Sequence, residues 1–258
     1  MIRKLPANFV TAGNLFCGLF SVLSVMDGHP VLAAWFIVMA AVLDAFDGKA
    51  ARYFGGGSEF GLQFDSLADM ISFGLAPAVL IYAIAFNDLG FAGLAVTFAP
   101  VLAVAIRLAR FNVMAATGVR TYVGLSSPLY ACLTAAFVVM SYSRWGEIVD
   151  SNVLAALVLI GSLLMVSRLP LPALPRFTLR EPGYNLAKML FLIAAVVYMA
   201  INPARHAFPA LTVLMVSAFV VGGLHALLGR RESEDDEEEI IEDETEEREP
   251  SWMFRGRR

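Results

Sequence analysis

The stretch from Leu43 to Met70, LDAFDGKAARYFGGGSEFGLQFDSLADM, decides how the chain is read. It holds five carboxylates, and four of them form two pairs at helical spacing, Asp44 with Asp47 and Asp65 with Asp69. Side chains three or four positions apart share one face of a helix. A Gly-rich break, Gly55-Gly56-Gly57-Ser58, separates the pairs. It reads as a turn, since no Gly-Lys-Ser/Thr follows to make a phosphate-binding loop. Two antiparallel helices joined there can bring their acidic faces together. Four ionised carboxylates at that range repel strongly, above all in an apolar setting. Protonation neutralises some of them in one reading, and Lys49 and Arg52 are the basic side chains of the stretch, too few to balance the acids. Divalent cations balance them best, and an all-oxygen ligand set suits Mg²⁺ or Mn²⁺. Two such ions ~3.5–4 Å apart are an arrangement used for phosphoryl chemistry.

The setting is apolar. Of 258 residues, 58% are hydrophobic, and the mean hydropathy is +0.68. Eight candidate spans run over roughly residues 8–26, 31–53, 62–86, 91–115, 126–142, 151–167, 185–201 and 208–228. Most are near the ~20 residues that cross a bilayer core. Their continuous apolar runs lack the alternation of a barrel strand, so the expected fold is all-α, a polytopic membrane helix bundle. The apolar run after Arg3 and Lys4 is interrupted by Asn8, Thr11 and Asn14. It reads as a retained first helix and not as a cleaved signal.

Basic residues set the orientation. Eight spans put both termini on one side, and with them thirteen cations: Arg3, Lys4, Lys49, Arg52, Arg107, Arg110, Arg120, Arg168, Arg176, Arg180, Lys188, Arg230 and Arg231. The other side receives two, Arg144 and Arg205. The acidic pairs, both termini and a cytoplasmic-membrane location facing the cytoplasm follow as one expectation. Residues 1–231 carry 15 basic and 10 acidic side chains, whereas residues 232–258 carry 4 and 13. The division is therefore a transmembrane domain, 1–231, and an acidic disordered tail, 232–258. Cys17 and Cys132 sit in apolar runs and read as buried thiols. Intramembrane carboxylates also mark ion pathways, but these cluster at one end of the spans, with no second acidic set opposite. The lipid bilayer is the expected surroundings, and nucleic acid is not an expected partner.

The residues align as Asp44-x2-Asp47-Gly48-x2-Ala51-Arg52-x8-Gly61-x3-Asp65-x3-Asp69. This pattern resembles the signature of the CDP-alcohol phosphatidyltransferase family at every position. The stretches PANFVTAGNLFCG (6–18), FDSLADMISFGLAPA (64–78) and RLARFN (107–112) are similar to the phosphatidylserine synthases within it. So is YVGLSSP (122–128), in which Ser126 replaces a proline. The resemblance implies substrates CDP-diacylglycerol and L-serine, products phosphatidylserine and CMP, and a homodimer. It implies that Asp44, Asp47 and Asp65 hold one ion and Asp44, Asp65 and Asp69 another. Gly48, Ala51, Arg52 and Gly61 would border the CDP moiety, and Asp69 would be the general base. Glycerol 3-phosphate, an inositol phosphate and choline stand as alternative acceptors.

Two features stay open between readings. Asn8, Thr11 and Asn14 fall at i, i+3 and i+6; they line the CDP-binding pocket or hydrogen-bond neighbouring helices. Arg107 and Arg110 end the fourth span; they bind a phosphate or the acceptor carboxylate bidentately, or they anchor the span at the membrane face.

Overall fold

The computed structural model describes residues 5–53, 59–116, 124–167, 184–217 and 219–220. Among them the protein is all-helical. The helices are α1 (Leu5–Met26), α2 (Pro30–Tyr53), α3 (Glu59–Asp69), α4 (Ala76–Ile81), α5 (Phe91–Ala116), α6 (Ser127–Trp145), α7 (Ser151–Val166) and α8 (Tyr184–Ile201). Residues 203–217 are helical as well. Among the described residues, four segments are long and apolar enough to cross a membrane: Asn8–Met26, Pro30–Asp47, Glu59–Leu89 and Phe91–Met114. Ser151–Val166 is apolar and shorter. The break expected at residues 55–58, much of the 116–125 and 168–184 loops, and the acidic tail lie outside the described residues.

The third span differs from the uniform helix that its apolar run predicts. Between α3 and α4 the backbone widens into a π-helical stretch, Met70–Leu75. A second, Tyr82–Phe86, follows α4, and a 3₁₀ turn, Asn87–Leu89, ends the span. Stretches of π-helix are rare and gather at functional sites. The first begins directly after Asp69.

Packing relies on small side chains, as it must where lipid supplies no hydrophobic drive between helices. α1 lies along α2, α2 against α6, and α5 against α7. Ala33, Ala34 and Ala40 of α2 meet Ala131 and Ala135 of α6 in a core closed by Ile37, Phe73 and Leu80. A second core, Ala103, Val104, Leu108, Leu125, Tyr130 and Met165, ties α5, α6 and α7 together. Gly18 lets α1 touch the π-helical stretch, since a Cβ there would lie 3.0 Å from the Ser72 Cα. Cys17 and Cys132 are free thiols, the first buried and the second partly so.

Candidate active site

Three elements build the site. α2 contributes Asp44 and Asp47 near its last turns, α3 contributes Asp65 and Asp69, and α1 crosses both. One carboxylate oxygen from each of Asp44, Asp47 and Asp65 lies within 4.8 Å of the others. Two oxygens on one octahedral ion with bonds of ~2.1 Å are ~3–4.2 Å apart, so these three lie near the spacing that a common ion requires. Asp47 is buried, and Asp44 and Asp65 are partly so. The Oδ1 of Asp65 is buried without a hydrogen-bond partner among the described residues. A buried carboxylate oxygen is costly unless a donor or a cation meets it. Clustered hard oxygen donors with one left unmet fit a divalent cation.

Asp69 stands apart from that trio. It is 7% exposed, and its Oδ1 accepts a hydrogen bond of 3.2 Å from Asn14 Nδ2. The charges of Asp44, Asp65 and Asp47 all reach it. Thr11 Oγ1 donates to Asp47 Oδ2 at 3.0 Å. Two members of the α1 polar stripe thus meet acids on neighbouring helices. Asn8, at the start of the stripe, is half-buried. Gly48, Ala51 and Arg52 continue α2, but their side chains lie outside the described residues, as does that of Lys49. Gly61 occupies the first turns of α3, half-buried.

The arginines come from α5. Arg107 places positive charge near Asp44, and its Nη1 donates to Ser127 Oγ at 3.0 Å. Arg110 Nη1 donates to the Val166 carbonyl at 3.0 Å, satisfying an open carbonyl at the end of α7. The segment before α6 seats on that same helix end. Leu125 N–H donates to the Leu164 carbonyl at 3.0 Å. Gly124 has φ +77°, and a Cβ there would stand 2.8–2.9 Å from the carbonyl oxygens of Leu164, Met165 and Ser167. Arg107, Arg110 and residues 124–127 therefore form one connected wall.

Three contributors escaped the sequence reading. Ser72 Oγ donates to the Asn14 carbonyl at 3.0 Å. Asn112 joins α5 to α3, accepting from Ser66 Oγ at 3.1 Å and donating to Gln63 Oε1 at 3.2 Å. Ser127 holds Arg107. Ser72 was visible as a continuation of the acidic face, at i+7 from Asp65 and i+3 from Asp69. Asn112 and Ser127 carry no such spacing signal.

Comparison with known proteins identifies the family. The model of the CDP-alcohol phosphatidyltransferase family matches residues 4–166, from the first helix through α7. A CDP-diacylglycerol–serine O-phosphatidyltransferase of Helicobacter pylori is 36% identical over 168 residues, 64% of this chain and 70% of that protein. One from Bacillus subtilis is 33% identical over 165 residues, 63% of this chain and 87% of that protein. An archaetidylserine synthase of Methanothermobacter thermautotrophicus is 35% identical over 162 residues, 62% of this chain and 66% of that protein. The family match spans well over half of the chain and contains all four aspartates, and the chain belongs to the CDP-alcohol phosphatidyltransferase family.

Proposed function

We propose that the protein is an integral membrane enzyme that transfers the phosphatidyl group of CDP-diacylglycerol to L-serine, giving phosphatidylserine and CMP. The observation that carries the reading is the three-carboxylate cluster with the unmet Asp65 oxygen. Relatives named as serine phosphatidyltransferases support the acceptor. Asp44, Asp47 and Asp65 would hold one divalent cation, with Asp69 joining Asp44 and Asp65 around a second. Bound there, Mg²⁺ or Mn²⁺ neutralises diphosphate charge and stabilises the leaving group.

The chain's own residues do the rest. Asn8, Gly48, Ala51, Arg52 and Gly61 border the cytidine nucleotide. Asp69 accepts the serine hydroxyl proton, because an uncharged alcohol is a poor nucleophile without a positioned base. The serine oxygen bonds to the lipid-side phosphorus, the bond from that phosphorus to the CMP oxygen breaks, and CMP departs with the electron pair. Arg107 adds positive charge beside Asp44, where the acceptor carboxylate approaches. The enzyme works as a homodimer with eight spans in the cytoplasmic membrane, both termini and the site facing the cytoplasm.

The test is purified protein with CDP-diacylglycerol and each of serine, glycerol 3-phosphate, inositol and choline, with the lipid product identified. Phosphatidylserine formed with serine is the expected result. Product with another acceptor alone keeps the reaction and replaces the substrate.

A further inference from the structure

We infer that Asn14 is a positioning residue for Asp69, locked from behind by Ser72 across the Gly18 notch, and is not a contact to the nucleotide. The inference rests on the proposed role of Asp69 as the base.

The chain of contacts runs in one direction. Asn14 is fully buried, so its amide cannot exchange partners with water. Its Nδ2 donates to Asp69 Oδ1 at 3.2 Å. A carboxylate accepts at both oxygens, so this bond fixes the group at Oδ1 and is compatible with proton transfer at Oδ2. The Asn14 backbone is held in turn, because its carbonyl accepts from the buried Ser72 hydroxyl at 3.0 Å. That bond needs α1 and the third span to meet closely. Gly18 provides the notch, since a Cβ there would lie 2.5 Å from Ser72 Oγ. Ser72 lies within the π-helical stretch that begins after Asp69. The widened backbone ties the third span to α1 one short step beyond the base. A base displaced slightly from its working position loses rate far more than binding.

A nucleotide contact and a positioning residue differ in what their loss changes. Asn14→Leu keeps the side-chain size and removes the donor. Transfer turnover should fall about tenfold to a hundredfold, the range for losing a hydrogen bond to a buried charged group. The KM for CDP-diacylglycerol and the CMP affinity measured by calorimetry should stay within about threefold of wild type. The decisive measurement is a double-mutant cycle. In an Asp69→Asn background, Asn14→Leu should cost less than about threefold further, because the group it positions is already disabled. Ser72→Ala is a milder second probe, with a loss of about twofold to fivefold that also vanishes beside Asp69→Asn. A tenfold rise in KM or in CMP dissociation constant with turnover kept would make Asn14 a nucleotide ligand. Losses that multiply in the double mutant would show that Asn14 acts independently of Asp69. The cycle is run with whichever acceptor the wild-type enzyme uses. Failure with serine therefore overturns the acceptor assignment and leaves the coupling between Asn14 and Asp69 to be read separately.

Discussion

Asp65 is the residue on which the metal reading turns. Its buried Oδ1 has no protein donor among the described residues, while carboxylates of Asp44 and Asp47 crowd within 4.8 Å. Thr11 supplies a donor to Asp47 and Asn14 one to Asp69, whereas the Asp65 carboxyl faces that of Asp47. Excess chelator should therefore abolish transfer, and added Mg²⁺ or Mn²⁺ should restore it; turnover that persists in EDTA would refute the metal site. Asp44→Asn and Asp65→Asn should each be inactive with the fold retained, and CMP affinity should collapse together with metal affinity. Asp69→Asn should behave differently. It keeps one oxygen ligand but loses basicity, so CDP-diacylglycerol binding should weaken modestly while transfer falls ~10²-fold or more. Transfer near the wild-type rate would leave Asp69 as structure only, and complete loss of lipid-substrate binding would make it chiefly a ligand.

At the scale of elements, Gly124 shows how the wall around Arg107 is held. Gly28 and Gly124 both lie in the left-handed region, with φ +76° and +77°. A Cβ at Gly28 meets nothing within 4 Å, whereas one at Gly124 strikes three carbonyls at the end of α7. Both alanine variants bear the conformational cost of about 1–2 kcal/mol. Gly124→Ala should cost measurably more and should also lower turnover, because Ser127 and Arg107 move with the segment. Thermal unfolding in detergent compares the two; equal shifts would show that Gly124 serves only the turn. The elements themselves were legible because an apolar run bounded by turn residues is a strong signal, and α1, α2 and α5 follow it closely. The π-helical stretches of the third span were not legible. Extra residues in a turn are stabilised by what packs alongside, here α1 at Gly18 and Ser72, and one segment read alone does not reveal its neighbour. The four aspartates were legible because paired acids at helical spacing have no bland role in an apolar chain. Their donors were only half legible, since Thr11 and Asn14 fit two uses until the acids opposite them are known.

For the whole molecule, the four motif aspartates and the two α5 arginines gather at one end of the bundle. Arg107 acts on Asp44, Arg110 caps the end of α7, and residues 124–127 close the same end. Arg144 lies at the far end of α6, stacked 5.9 Å from the Trp145 ring, a pairing suited to a membrane interface. Of the thirteen basic residues that the charge count assigns to one side, Arg107 and Arg110 lie among the described side chains. The acidic run of 232–258 holds no motif residue, so a chain ending after Arg231 should keep transfer activity in detergent to within about tenfold, ~1.4 kcal/mol of barrier. Orientation is tested by single cysteines in a background with Cys17→Ala and Cys132→Ala. Ser58→Cys, between the acidic pairs, and Ser233→Cys, in the tail, should resist an impermeant thiol reagent in intact cells and react once the membrane is opened. Ser151→Cys, at the exposed start of α7, should react in intact cells and so report that the reagent works. Labelling of Ser58→Cys from outside would turn the bundle over. It would place the acids opposite a cytoplasmic supply of nucleotide-activated lipid and serine, and the proposed orientation would fall while the site chemistry stood.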